Sequence, residues 1–198
     1  MKTRIILLAA AFATACTTQN NSALVITSVV PAKEDTKTSS TTPPVTTTTC
    51  TFDPAASEVS FVQINLSQND GTMGAVVHNF MPPTNSANSL NLDAAVFEAH
   101  QAVIRVEFPS GAPAGVSVPN PLIVPVSGVI SSGEVASIPV PLLPKGVISG
   151  TVPDKTFIRT SFHLEGKLIG GSTVRTTERE FIFQACTTDP ACPVNACL

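Results

Sequence analysis

Tryptophan and tyrosine are both missing from the 198 residues, and charged side chains make up only 13% of them. The first absence removes the rings most used for stacking on sugars, together with the buried Trp and the tyrosine corner of true immunoglobulin domains. The second, with a formal net charge of −3, removes the electrostatic case for nucleic acid or anionic lipid heads as partners. Histidine is sparse as well. His78, His100 and His163 stand in separate segments with no His-Glu-x-x-His pattern, so each reads as a surface or structural residue, not a metal ligand or a catalytic base. Neither a phosphate-cradling glycine loop nor a calcium loop is present, and Gly115-Val-Ser117-Val-Pro119 lacks the closing glycine of a nucleophile elbow. No cofactor and no metal is implied. The apolar run at residues 5–13 falls well short of the about 20 residues that a membrane helix needs.

That short run is informative for another reason. Lys2 and Arg4 precede it, and the small residues Ala13-Thr14-Ala15 lead into Cys16, which is the layout of a secretory signal peptide over residues 1–15. The segment Ala13-Thr14-Ala15-Cys16 resembles the bacterial lipoprotein signal, with Ala13 where that family most often has Leu. The resemblance implies that Cys16 is diacylated on sulfur, becomes the first mature residue and is then acylated on its amine. Several acyl chains on one residue hold a protein to a membrane firmly, where a single chain does not. The other reading of the same residues is a plain Ala-x-Ala cleavage signal that releases a soluble protein beginning at Cys16.

Cysteine arithmetic bears on the choice. There are five cysteines, and an exported chain with an odd number must use one of them elsewhere. If Cys16 takes lipid, Cys50, Cys186, Cys192 and Cys197 remain to form disulfides. The last three are spaced more widely than the Cys-x2-Cys pair of a structural zinc site, so pairing is the stronger reading. Four cysteines allow three connectivities, and every one of them ties Cys50 to the C-terminal tail.

Between these landmarks the chain reads as short strands. With 17 prolines and 11 glycines spread among short apolar runs, turns are frequent and long helices are not. Residues 23–30 form a β-branched run suited to a first strand. Residues 33–49, rich in Thr, Ser and Pro, have nothing with which to build a core and read as a solvated tether, with sugar attachment to the hydroxyls as a lesser alternative. Residues 57–66 alternate with a change of parity at Phe61-Val62, which predicts a β-bulge. Asn69-Asp70-Gly71 is a turn, and residues 74–81 return as a strand. Residues 90–102 carry the most helical character, with Asn91 or Asp93 as a cap. Prolines 119, 121, 125, 139, 141 and 144 confine the Val- and Ile-rich segments around them to sheet edges. Residues 156–168 and 173–185 alternate clearly and form a hairpin around Gly170-Gly171; apolar matching places Leu168 opposite Val174. Arg159, Arg175, Arg179, Glu178 and Glu180 read as an exposed charge ladder on that hairpin. The fold expected is all-β: an immunoglobulin-like antiparallel β-sandwich, with a Greek-key β-barrel as the alternative. Its domain spans residues 50–198, cysteine-rich tail included, behind a lipidated N-terminus and tether at residues 16–49.

A lipobox, a Thr/Ser/Pro tether, a strand-rich domain ending STVRTTEREFIF and a cysteine-studded C-terminus together resemble the uncharacterised envelope lipoproteins of myxobacteria and their relatives. That likeness brings no assigned activity. Thr17 follows Cys16 where enteric lipoproteins kept at the inner membrane have Asp, which implies the outer membrane. The functional expectation is a non-enzymatic one: a lipid-anchored structural or protein-binding module of the cell envelope, with a protein partner there. The alternative from another class is a secreted or anchored hydrolase whose site is assembled from residues remote in sequence.

Overall fold

The computed structural model describes residues 23–40, 43, 46–82, 95–186, 192 and 197. Cys16, the signal segment and the expected caps Asn91 and Asp93 lie outside the described residues.

Eleven strands are described: β1 (Leu24–Val30), β2 (Lys33–Thr38), β3 (Thr46–Thr51), β4 (Val62–Ile64), β5 (Thr72–Asn79), β6 (Phe97–Glu107), β7 (Leu122–Ile130), β8 (Val135–Pro141), β9 (Phe157–Leu168), β10 (Thr173–Arg175) and β11 (Arg179–Ala185). They build a three-stranded sheet in the order β1-β5-β8 and a six-stranded sheet in the order β4-β11-β9-β6-β7, with β10 beside β9. Both sheets contribute to one hydrophobic core, so the chain is an all-β sandwich and not a closed barrel. In the lettering of immunoglobulin domains, β1, β5 and β8 take the places of A, B and E, and β7, β6, β9 and β11 those of C′, C, F and G. Strand β4 runs parallel to β11, and every other pairing is antiparallel.

Period-2 alternation explains the large sheet. On β9, Ile158, Thr160, Phe162, Leu164 and Gly166 point inward, and β11 adds Phe181, Phe183 and Ala185. Phe97, Phe162 and Phe183 are fully buried, each contributing about 1.5–3 kcal/mol by leaving water. The helical expectation for residues 90–102 is overturned from Phe97 onward, where β6 runs. His100 is an extra residue there: Ala99 pairs with Gly166 and Gln101 with Glu165, so a bulge interrupts the alternation that would have marked a strand. Gly166 is bare because a Cβ there would strike the Glu98 carbonyl and the Phe97 ring. The hairpin register is also corrected. A three-residue tip closes on a pair of backbone bonds, Leu168 N–H to Ser172 O (2.9 Å) and Gly171 N–H to Leu168 O (2.7 Å), so Leu168 faces Ser172. Val174 faces Gly166 in the inward row, where the missing side chain leaves it room.

The proline-rich segments lie where expected. Strand β7 is an edge of the large sheet and β8 an edge of the small one, carrying Pro125 and Pro139. On the opposite side the two sheets are stitched together. Between β10 and β11, Thr177 donates its N–H to Leu24 O (2.9 Å) and accepts from Ile26 N–H at Oγ1 (3.0 Å).

The expected bulge at Phe61-Val62 is absent: β4 begins at Val62, and Phe61 simply points outward. The stretch read as a bare tether carries regular backbone pairing. Strands β2 and β3 form an antiparallel ribbon from Lys33↔Thr51 to Thr38↔Thr46, every residue of which is exposed. Threonine favours extended backbone, and with no apolar face the ribbon lies outside the core. Phe52 follows it and covers Gly74 on the outer side of the small sheet.

Candidate functional site

The inward rows being committed to the core, chemistry is left to the outer face of the large sheet. Register places its side chains in cross-strand rows: Gln101, Glu165 and Arg175; then Val103 and His163; then Arg105, Ser161 and Glu180; then Glu107, Arg159 and Ile182; then Phe157 and Gln184.

At one end of this face a polar cluster is centred on Glu165. Gln101 Nε2 donates to one carboxylate oxygen at 2.7 Å, and the other lies 3.2 Å from His163 Nε2. Partial burial pushes the Glu165 carboxyl up, but the bonds from Gln101 and His163, helped by the charges of His163 and Arg175, outweigh it and hold the group below its ordinary range. Further along, Arg159 is bound to Glu107, and this bond, with the charges of Glu107 and Glu180, raises the guanidinium pKa. Arg179 is bound to Glu58. Of the charge ladder expected on the last hairpin, Arg175 with Glu165 and Glu180 with Arg159 act on each other across its strands, while Arg159 and Arg179 also bind carboxylates from outside it, Glu107 and Glu58.

At the other end the face turns apolar. Phe61 and Phe157 are each 47% exposed and meet edge to face with ring centroids 6.3 Å apart, and Ile182 is exposed beside them. Gln63 Nε2 donates to Gln184 Oε1 at 3.1 Å along the border. Large exposed aromatics that cluster are the usual mark of a contact surface. Sequence reading missed this group because Phe61 and Phe157 lie almost a hundred residues apart; the parity change at Phe61 was its one trace.

The cysteines are placed as follows. Exposed Cys50 on β3 is bonded to buried Cys197 with a Cα–Cα distance of 5.6 Å, and Cys186 is bonded to Cys192 at 5.8 Å. Cys50 is thus joined to the tail, and such bonds belong to an oxidising compartment. The histidines do not converge: His78 lies on the small sheet against the ring of Phe80, His100 is at the bulge, and His163 is bound to Glu165. Among the described residues no three of His, Cys, Asp and Glu are grouped to hold a metal ion, and no helix is long and apolar enough to cross a membrane. A cleft of about 330 Å³ between residues 66–67 and 143–152 is lined by Leu66, Leu143, Ile148 and Val152 with Ser67 and Thr151, and by no titratable side chain among the described residues.

No protein-family model matches the chain, and no curated protein or solved structure matches it either.

Proposed function

We propose that this is an exported protein held to the bacterial envelope, at the outer membrane, by lipid on Cys16, where it serves as a structural or protein-binding module. The observation that carries the reading is the cysteine account: Cys50 with Cys197 and Cys186 with Cys192 use four of the five, leaving Cys16 alone, behind a signal-like segment. The apolar corner formed by Phe61, Phe157 and Ile182 supports a binding role, because exposed apolar side chains grouped on one face are a common feature of contact surfaces. A sandwich of this kind supplies a rigid platform. Its core is shared by both sheets, and its outer rows are set by register and not by loop conformation.

Mass spectrometry of the mature N-terminus tests the anchor. The expected result is a chain that begins at Cys16 and carries acyl groups. An unmodified Cys16 would return the protein to the soluble secreted class, and a free thiol at Cys50 would remove the cysteine account altogether.

A further inference from the structure

We propose that the outer edge of β3 is a self-association site, at which two copies of this chain pair antiparallel, β3 to β3, through their backbones. The edge lies apart from the outer face of the large sheet, and the pairing does not depend on the binding-module reading above.

A strand edge is a row of unpaired N–H and C=O groups, and folded proteins blunt it with proline, charge, shortness or a bulge. The described edges of the two sandwich sheets are protected. Strand β7 carries Pro125, β8 carries Pro139 and Pro141, and β4 is three residues long. Strand β1 is tied at Leu24 and Ile26 to Thr177. In the exposed ribbon, β2 carries Lys33, Glu34, Asp35 and Lys37. Strand β3, Thr-Thr-Thr-Thr-Cys-Thr, has no charge and no proline, pairs with β2 from Thr46 to Thr51 without a register shift, and is exposed throughout. Every second residue of an antiparallel strand turns its N–H and C=O away from its partner. Among the described residues nothing donates to or accepts from those groups of β3.

The chemistry of the edge selects its occupant. Main-chain donors and acceptors at strand spacing fit an extended peptide backbone. Strand addition to a foreign peptide draws its specificity from pockets that receive alternate side chains. The ribbon has no such means of selection: its side chains on both strands are charged residues, threonines and Cys50, all exposed, with no apolar face. A second β3 needs no pocket. Four consecutive threonines set Thr opposite Thr in neighbouring registers alike, and such pairs are favourable across strands. Thr38 and Thr46 already meet in this way within the ribbon, their hydroxyl oxygens 3.3 Å apart. Antiparallel pairing of two identical strands is two-fold symmetric, the commonest form of self-association. It is also self-limiting. The product is a four-stranded ribbon in the order β2-β3-β3-β2, whose outer edges both carry Lys33 and Lys37 and resist a further strand. The Cys50–Cys197 bond ties the base of β3 to the tail, which limits the freedom that pairing has to remove.

Sedimentation equilibrium of the mature protein in density-matched detergent tests the proposal, with amide hydrogen exchange read by mass spectrometry on the same samples. The wild type should show a reversible monomer–dimer equilibrium, and exchange over residues 46–51 should slow as the dimer forms, by more than it does over residues 33–38. Thr46→Lys with Thr48→Lys should raise the dimer dissociation constant about tenfold or more, since the added lysines meet like charge across the two-fold axis. Thr38→Lys with Thr36→Lys adds the same charge in the same two cross-strand rows, but on β2, and should leave the equilibrium unchanged. All four positions are exposed and outside the core, and far-UV circular dichroism checks that the sandwich is intact. A wild type that stays monomeric at every concentration overturns the proposal. So does a dimer equally sensitive to both pairs of substitutions, or one in which residues 46–51 exchange as fast as in the monomer. None of these results bears on Cys16, whose acylation is read separately by mass.

Discussion

Replacing Asn79 by leucine should be among the most damaging single changes in the sandwich, and the reason is visible in its bonds. The side chain is fully buried at the end of β5. Its Nδ2 donates to Ala95 O at 2.7 Å and to Ile130 O at 3.2 Å, and its Oδ1 accepts from Met81 N–H at 3.1 Å. One amide thereby ties the small sheet to the start of β6 and the end of β7 in the large one. Leucine has the same branching and number of heavy atoms with somewhat bulkier methyl groups, so the change removes the bonds without opening a cavity, and any overpacking adds to the loss. Three bonds at a net of about 1 kcal/mol each give a loss of about 3 kcal/mol, and stranding buried backbone groups adds to it. Against a total stability of about 5–15 kcal/mol that is a large share, and it should lower Tm by roughly 6–12 °C in a domain of this size. Urea denaturation followed by circular dichroism, with disulfides intact, measures it; the chain has no Trp or Tyr to report by fluorescence. The midpoint should fall with the slope unchanged. Asn79→Asp adds a control of opposite chemistry. A carboxyl facing two carbonyls out of water has its pKa raised, so this variant should be at its best at low pH and lose stability as pH rises through the folded value. A leucine variant within about 0.5 kcal/mol of wild type would refute the account of Asn79 as the tie between the sheets.

Three further outcomes follow from the same structure. Because the Glu165 carboxyl is held below its ordinary range, its contribution to stability is present above the unfolded pKa and lost as pH falls through the folded one; Glu165→Gln should flatten the acid limb of a Tm-against-pH curve, and an unchanged limb would count against the Gln101 and His163 bonds. The Cys50–Cys197 bond closes a separation of 147 residues and the Cys186–Cys192 bond one of 6, so chain entropy assigns them about 5 and about 2 kcal/mol. Removing the first pair as Cys50→Ser with Cys197→Ser should therefore cost more than removing the second, and thermal melts of the two double variants should fall in that order. Gly166→Ala should destabilise by about 1–3 kcal/mol or more, since the new methyl has to displace the Glu98 carbonyl or the Phe97 ring; a neutral result in urea would mean that β6 and β9 lie further apart there.

The sequence spoke clearly wherever one local rule acted alone. Ile158, Phe162 and Leu164 alternate with Arg159, Ser161 and His163 because a single sheet face is buried, and β9 follows. Proline's missing N–H placed β7 and β8 at edges, and simple parity of pairing joined Cys50 to the tail. It misled where two rules met. At His100 a bulge breaks the alternation, so Phe97 and Glu98 looked like part of a capped helical turn when tertiary pairing had made them a strand. The Thr-rich stretch satisfies the composition of a spacer and the propensity of a strand at once; composition spoke to the absence of a core and was silent about the backbone ladder of β2 and β3. The apolar corner was beyond reach for a different reason. Phe61 and Phe157 become neighbours only when β4 is laid against β11 and β11 against β9, and no local pattern encodes that.

The same pairing rules bear on how such a domain meets other chains. A sandwich has two kinds of surface to offer, edges with unpaired backbone groups and faces with ordered side chains. Here one pair of edges carries Pro125, Pro139 and Pro141, and on the other side Thr177 stitches β1 to the break between β10 and β11, so neither is shaped for adding a strand. Strand β4 is three residues long, too short to template an intruder. On the outer face of the large sheet, by contrast, polar rows are satisfied within the sheet by Gln101, Glu165, Arg159 and Glu107, and the half-exposed rings of Phe61 and Phe157 lack an apolar cover among the described residues. Association through the face leaves every backbone ladder intact and removes apolar surface from water, whereas association through an edge of the sandwich has to work around proline. If the face is the contact surface, charge reversal at Arg159 should alter the rate and salt dependence of association more than its final strength, because that side chain sits at the polar border, while changes at Phe157 should act on dissociation.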